Sequence, residues 1–338
     1  PDGARVRFNP PNPVAPFGLL ASRFERYAIE VRGVTFELLL NAGHTRNLAT
    51  FDELAPELEN RLGETLDRAS ELGLPYPYKG LTLVEIPNRL RGYAGGWRLD
   101  TTQALPGTML LRETSFPTAR FNVAFDNEEA TAEAEASEDG IEGFKLRVLE
   151  RFFENDFSGG NPFQGASRNF FAFQTSAHGE SALALNFVLE ELVNLLITQK
   201  RGYFSAHEYD NQSSVLIGQT MTELTQGRTE SVVEAITRAA TDRPSVWDRA
   251  LGDALAELNP DAEPREVLNV LSLKSRAFAL AILDGLGEAD TARLLATLLE
   301  LHRGGLFTEA DFLDAAETVG VDIRALLGDW LNDAALPG

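Results

Sequence analysis

The sequence predicts an α+β fold, mainly α, and three observations carry that expectation. Segments in the first third alternate apolar and polar residues with many β-branched and aromatic side chains. Two stretches in the middle of the chain have apolar residues at helical spacing. From about Ser213 onward the pattern is helical almost throughout.

Taken in order, residues 1–20 are rich in proline and glycine and read as a connector or the last strands of a domain that begins upstream. Arg23–Leu40 (with YAIEV and VTFELLL) predicts strands. Thr50-x-x-Glu53 has the spacing of a capping box, opening a helix to about Leu72 with Leu54, Leu58, Leu62 and Leu66 on one face. Gly73 and Pro75 end it. Leu81–Ile86 (LTLVEI) predicts a buried strand. Arg89–Gln103 is a glycine-rich loop, and Gly107–Glu113 (GTMLLRE) a second strand, followed by Ala119–Phe125.

Asp126–Asp139 is acidic and alanine-rich with no apolar face, as expected of a surface loop or a frayed helix. Two amphipathic helices follow, Phe144–Asp156 (FKLRVLERFFEND) and roughly Ser181–Ile197 (SALALNFVLEELVNLLI). Between them Phe163, Phe170, Phe171 and Phe173 stand in a glycine-rich loop. They either plug the core or line a pocket, and the plug is favoured because aromatic rings dominate core burial. Further helices are expected near Arg228, Ser245, Glu263 and Glu288, then from Thr308, where Thr308-x-x-Asp311 is another cap, and from Asp322. Leu294, Leu295, Leu298 and Leu299 form one apolar stripe, and antiparallel helix pairs are expected.

Composition narrows the function. With 30 basic and 51 acidic residues the net charge is −21, which opposes a nucleic-acid partner in the absence of a basic stripe. No cysteine is present, so disulfides, a thiol nucleophile and cysteine-bound metal are excluded. No apolar run within this segment is long enough to insert in a membrane. The chain begins at Pro1 rather than a methionine, which suggests a segment of something larger.

Other chemistries find no complete motif. Gly179-Glu180-Ser181 lacks the second glycine of a serine nucleophile elbow. Asp100-Thr101-Thr102 is at most half of an aspartic-protease site. Gly92, Gly95 and Gly96 precede no Lys-Ser or Lys-Thr of a phosphate loop. Adjacent carboxylates such as Glu190 and Glu191 diverge around a helix instead of forming an acid–base dyad. The histidines are His44, His178, His207 and His302, and no two are four residues apart. His44 and His302 read as ordinary loop or helix-end residues. A site from His178, Glu180, His207 and Glu208 would need its ligands to converge on one point.

LTLVEIP at Leu81–Pro87 and PGTMLLRETSF at Pro106–Phe116 resemble the strand pair of the aminopeptidase N family of gluzincin zinc metallopeptidases. Leu273–Gly287 (LKSRAFALAILDGLG), Phe307–Gly320 and Leu327–Pro337 resemble segments of that family's helical domain. Similar regions also occur in peptidase-like domains of bacterial membrane proteins, including fusions to ABC-transporter permeases. The resemblance implies a remnant of an N-terminal β-domain at 1–48, a thermolysin-like, zincin-type peptidase domain at 49–204 and an all-helical domain at 205–338.

The same resemblance places the family's H-E-x-x-H on Leu149-Glu150-Arg151-Phe152-Phe153, so the glutamate is kept and both histidine positions are lost. The third zinc ligand would fall on Glu191 or Glu190. The strand that binds the substrate amine in the family implies Gly107, Met109 and Glu113 as peptide-binding residues. A tyrosine steadying an oxyanion would be Tyr203 or Tyr209. Without two imidazoles, Glu150 has no metal-bound water to activate.

The expectation is a degenerate, non-catalytic relative without a cofactor. Its partner would be a peptide or protein, and no nucleic acid. The fusion proteins imply an extracytoplasmic domain attached to membrane spans outside this segment. The alternative is a zinc aminopeptidase with a rebuilt ligand set of His178, His207 and Glu191.

Overall fold

A β-hairpin opens the part of the chain that the computed structural model describes, namely residues 20–87, 103–113, 116–125, 136, 140–154, 166–199, 252–258 and 264–334. The proline-rich start, nearly all of the acidic tract, Phe163 and the helices expected near Arg228 and Ser245 lie outside the described residues. Strands β1 (Phe24–Val31) and β2 (Val34–Asn41) pair antiparallel across Arg32-Gly33. Both turn residues have positive φ, 52° and 76°, the geometry whose twist matches that of two-residue hairpins.

Two helices carry the chain across to the next strand, α1 (Leu48–Glu53) and α2 (Ala55–Glu71). Thr50 therefore lies inside α1, and the expected capping box is not formed. Pro56 interrupts the helix instead: it has no N–H for the ladder, and its fixed φ suits the first turn of a new helix. The end of α2 is as expected. Gly73 turns left-handed at φ 74°, its N–H donates to the Ser70 carbonyl, and the Leu74 N–H donates to the Ala69 carbonyl. These are the two bonds of a Schellman motif, and Leu74 is fully buried behind it.

Strands β3 (Gly80–Ile86), β4 (Gln103–Leu105) and β5 (Thr108–Arg112) complete a sheet of order β1-β2-β3-β5-β4. β2, β3 and β5 run parallel, while β4 returns antiparallel on β5. β4 was not expected, since the sequence there reads as the end of a loop. Alternation sorts the strands into two faces. Leu38, Leu40 and Leu111 pack beneath helices with Leu54, Phe121 and Leu149, whereas Val84, Ile86 and Leu110 gather on the other side. Ala119–Phe125 supplies a short helix, α3 (Phe121–Phe125).

The two central helices are present as α4 (Gly140–Glu154) and α5 (Ala182–Thr198). α4 starts about one turn earlier than expected, which brings Glu142 into the first turn, where a negative charge suits the helix N-terminus. Between them, Phe170 and Phe171 are buried in the main core, so these two rings do plug it. β6 (Ser176–Ala177) follows and pairs with β7 (Leu306–Phe307).

Helix α6 (Pro264–His302) breaks at Gly287, whose φ of 77° and ψ of 169° only glycine adopts without strain. The break separates the two helices expected from Glu263 and Glu288. Leu294, Leu295, Leu298 and Leu299 are all buried. α7 (Glu309–Thr318) carries the expected capping box of Thr308 and Asp311, and Asp322 caps α8 (Ile323–Leu327). One apolar cluster joins α2, α5, α6 and α7 and reaches Trp330, whose ring meets Phe278 at 5.3 Å. Within it Lys274 is fully buried, and its ammonium donates to the Asp253 and Ala334 carbonyls at 2.7 Å each. Among the described residues no helix is long and apolar enough to cross a membrane.

Candidate functional site

Because β2, β3 and β5 are parallel, their carboxyl ends lie at one end of the sheet, where open α/β sheets place their ligands. The inward row of β3 runs Leu81, Leu83, Glu85, so alternation turns a carboxylate into the helix-covered side. The Glu85 side chain is fully buried. Its Oε2 accepts the Asn41 N–H at 2.9 Å, and its Oε1 lies 2.5 Å from Nδ1 of His44 in the loop after β2. A carboxylate on Nδ1 fixes the orientation and tautomer of an imidazole. The neighbouring loops are tied together here as well. Asn47 donates to the Ala119 carbonyl at 3.2 Å, the Glu113 N–H donates to the Ile86 carbonyl at 3.0 Å, and Thr118 Oγ1 donates to the Glu113 carbonyl at 2.8 Å.

The three residues implied for peptide binding occupy different settings along β5. Gly107 closes the β4–β5 turn with φ 65°, and its N–H donates to Asn169 Oδ1 at 2.8 Å; a Cβ there would stand 3.2 Å from the Gly80 carbonyl oxygen. Met109 is buried. Glu113 is half-buried at the carboxyl end. β4 covers the outer side of Thr108–Leu110, so an added strand would find only the stretch beyond Leu110.

Of the positions onto which the resemblance would place the zinc ligands, Leu149, Glu190 and Glu191 have described side chains. Leu149 is 2% exposed, in the apolar cluster with Leu38, Leu40, Leu54, Leu111 and Phe121. Glu150 and Phe153 belong to α4, but their side chains lie outside the described ones. Glu191, on α5, is 3% exposed and stands 3.9 Å from Nη1 of Arg276 on α6. Glu190 turns away to Arg168, with Oε1 3.1 Å from Nε, and that guanidinium lies over the Phe173 ring at 4.9 Å. The two carboxylates thus diverge, as adjacent helical residues must. Leu149 offers no donor atom, and it belongs to a different apolar cluster from the α5 residues flanking Glu191. These residues do not fit a tetrahedral zinc site.

Two members of the alternative ligand set, His178 and Glu191, are among the described residues. His178 is exposed just after β6, where its N–H donates to the Phe307 carbonyl at 2.8 Å. Glu191 is buried about 14 Å along the helix from the start of α5. His207, Glu208, Tyr203 and Tyr209 lie outside the described residues. Among the described residues no group of three or more histidines and carboxylates stands close enough to hold a metal ion. Asp311 has a carboxyl held below its ordinary range, first by the Thr308 N–H, then by the Thr308 hydroxyl, and further by His302 and His178.

Sequence reasoning passed over the His44–Glu85 pair and took His44 as a plain loop residue. A signal was available: Glu85 is a charge at an inward position of an otherwise apolar strand.

No family model matches the chain, and no curated protein matches it. Among solved structures it is similar to Legionella pneumophila aminopeptidase A in complex with aspartic acid, at 14% identity and a TM-score of 0.46, over 93% of this chain and 28% of that one. It is also similar to an M1 zinc metallopeptidase from Deinococcus radiodurans, at 13% identity and a TM-score of 0.46, over 93% of this chain and 53% of that one. The chain therefore spans about a quarter to a half of the length of these structures.

Proposed function

We propose that this chain is a peptidase-like domain without zinc catalysis that works by binding a peptide or protein segment, or as a scaffold in a larger assembly. Residues 49–204 would hold the cleft and residues 205–338 would buttress it. The observation that supports this most is the setting of Leu149. At a position where the family resemblance asks for an imidazole, the chain has a hydrocarbon side chain that is part of the core beneath the sheet. The engagement of Glu191 with Arg276 supports it further.

The partner in this reading lies extended along the carboxyl end of β5, where Glu113 meets a positively charged group. Two measurements test it. Protein purified without a metal-affinity tag, equilibrated with zinc and desalted, retains no stoichiometric zinc and does not hydrolyse aminoacyl substrates. About one zinc per chain with chelator-sensitive hydrolysis sinks the proposal. A fluorescence-polarisation screen of short peptides then finds ligands whose binding weakens in Glu113→Ala, and unchanged affinity removes the cleft from the account.

A further inference from the structure

Burying a carboxylate on α5 is costly unless a fixed positive charge accompanies it, because the interior solvates ions poorly. Glu191 is 3% exposed on a helix most of whose residues are apolar and buried, and the guanidinium 3.9 Å away belongs to α6, the helix that covers α5. Asn194, one turn further on in α5, and Ser275, next to Arg276 in α6, are buried polar residues as well.

We propose that Arg276 serves as a built-in cation for Glu191: it supplies permanently the countercharge that a bound metal ion would otherwise have to bring, locks α5 to α6, and withdraws Glu191 from ligand chemistry. This rests on the reading above for its bearing on function, but the pairing stands on the two helices alone. A guanidinium suits the task because it keeps its charge across the whole working pH range and is less strongly hydrated than an ammonium. A histidine or a metal ion in its place would make the contact depend on pH or on metal supply.

The test is a double-mutant cycle read by thermal unfolding, with Arg276→Met, Glu191→Gln and the double variant. Arg276→Met lowers the midpoint by about 4 °C in the wild-type background, and by a small fraction of that when Glu191 is already glutamine. Arg276→Lys, which keeps the charge, recovers at least half of the loss. Equal losses in both backgrounds, or no recovery by lysine, overturn the pairing and leave Arg276 a packing residue. Zinc per chain is measured on the wild type and on Glu191→Gln in parallel. Zinc held by the wild type and lost in Glu191→Gln also overturns the proposal. Zinc held equally by both, with the coupling intact, supports the pairing while sinking the non-catalytic reading.

Discussion

Nδ1 of His44 lies 2.5 Å from Oε1 of Glu85, joining the loop after β2 to the central strand β3 at the carboxyl end of the sheet. The carboxylate is fully buried and the imidazole is about one-third exposed, so the pair keeps one member dry and presents the other to solvent. Removing the partner of a buried charge costs more than removing the charge itself. His44→Ala is therefore expected to lower stability by about 2 kcal/mol, and Glu85→Gln by about half as much. Urea unfolding measures both, and the reverse order would show that the imidazole is not what keeps the carboxylate in place.

Leu149→His would restore one residue of the zinc motif named by the family resemblance. Leu149 is buried among Leu38, Leu40, Leu54, Leu111 and Phe121, so the imidazole would replace hydrocarbon in a dry site. The expected cost is about 2–3 kcal/mol with no gain in zinc retention. A variant as stable as the wild type that retains zinc would show an open, polar site at this position.

Asp311 gives a signed dependence on pH. Its folded-state carboxyl titrates below the ordinary value of 3.8, chiefly because the Thr308 N–H and hydroxyl hold the charged form. Its contribution is complete above that value and is lost as the pH falls through the lowered folded one. The stability difference between wild type and Asp311→Asn is expected to narrow steadily from about pH 5 to about pH 2. A constant difference over that range would mean that the charge of Asp311 does not matter to the cap of α7.

Gly73→Ala tests the end of α2. With φ at 74° and Ala296 Cβ only 3.2 Å from the site of the new Cβ, the substitution meets both backbone strain and a close neighbour. A loss of about 1–2 kcal/mol is expected. Gly33→Ala, also at positive φ but with no heavy atom within 4 Å, isolates the strain alone and should lose less.

Elements whose signal is local were legible in the sequence. The Thr308–Asp311 box, the Gly73 stop and the Leu294–Leu299 stripe were found because three or four neighbouring residues specify each of them. The box at Thr50 does not form because the first helix already starts at Leu48, and Pro56, six residues on from Thr50, sets the start of a second helix that outranks a weak capping pattern. β4 escaped because three residues carry too little periodicity and the strand exists only through pairing with β5. The site was harder still. Glu85 meets His44 from 41 positions away, and Glu191 meets Arg276 from 85, contacts that only the folded chain creates.

α5 is buried on nearly every side, and much of its cover is α6, which begins 66 residues after α5 ends. During synthesis that apolar cylinder therefore emerges well before the segment that shields it. At roughly ten residues per second it waits several seconds, during which it is a natural target for chaperones or for self-association. A nascent chain stopped before Pro264 lacks that part of the cover, so the second helix of the pair sets how much of the first is left as a sticky surface.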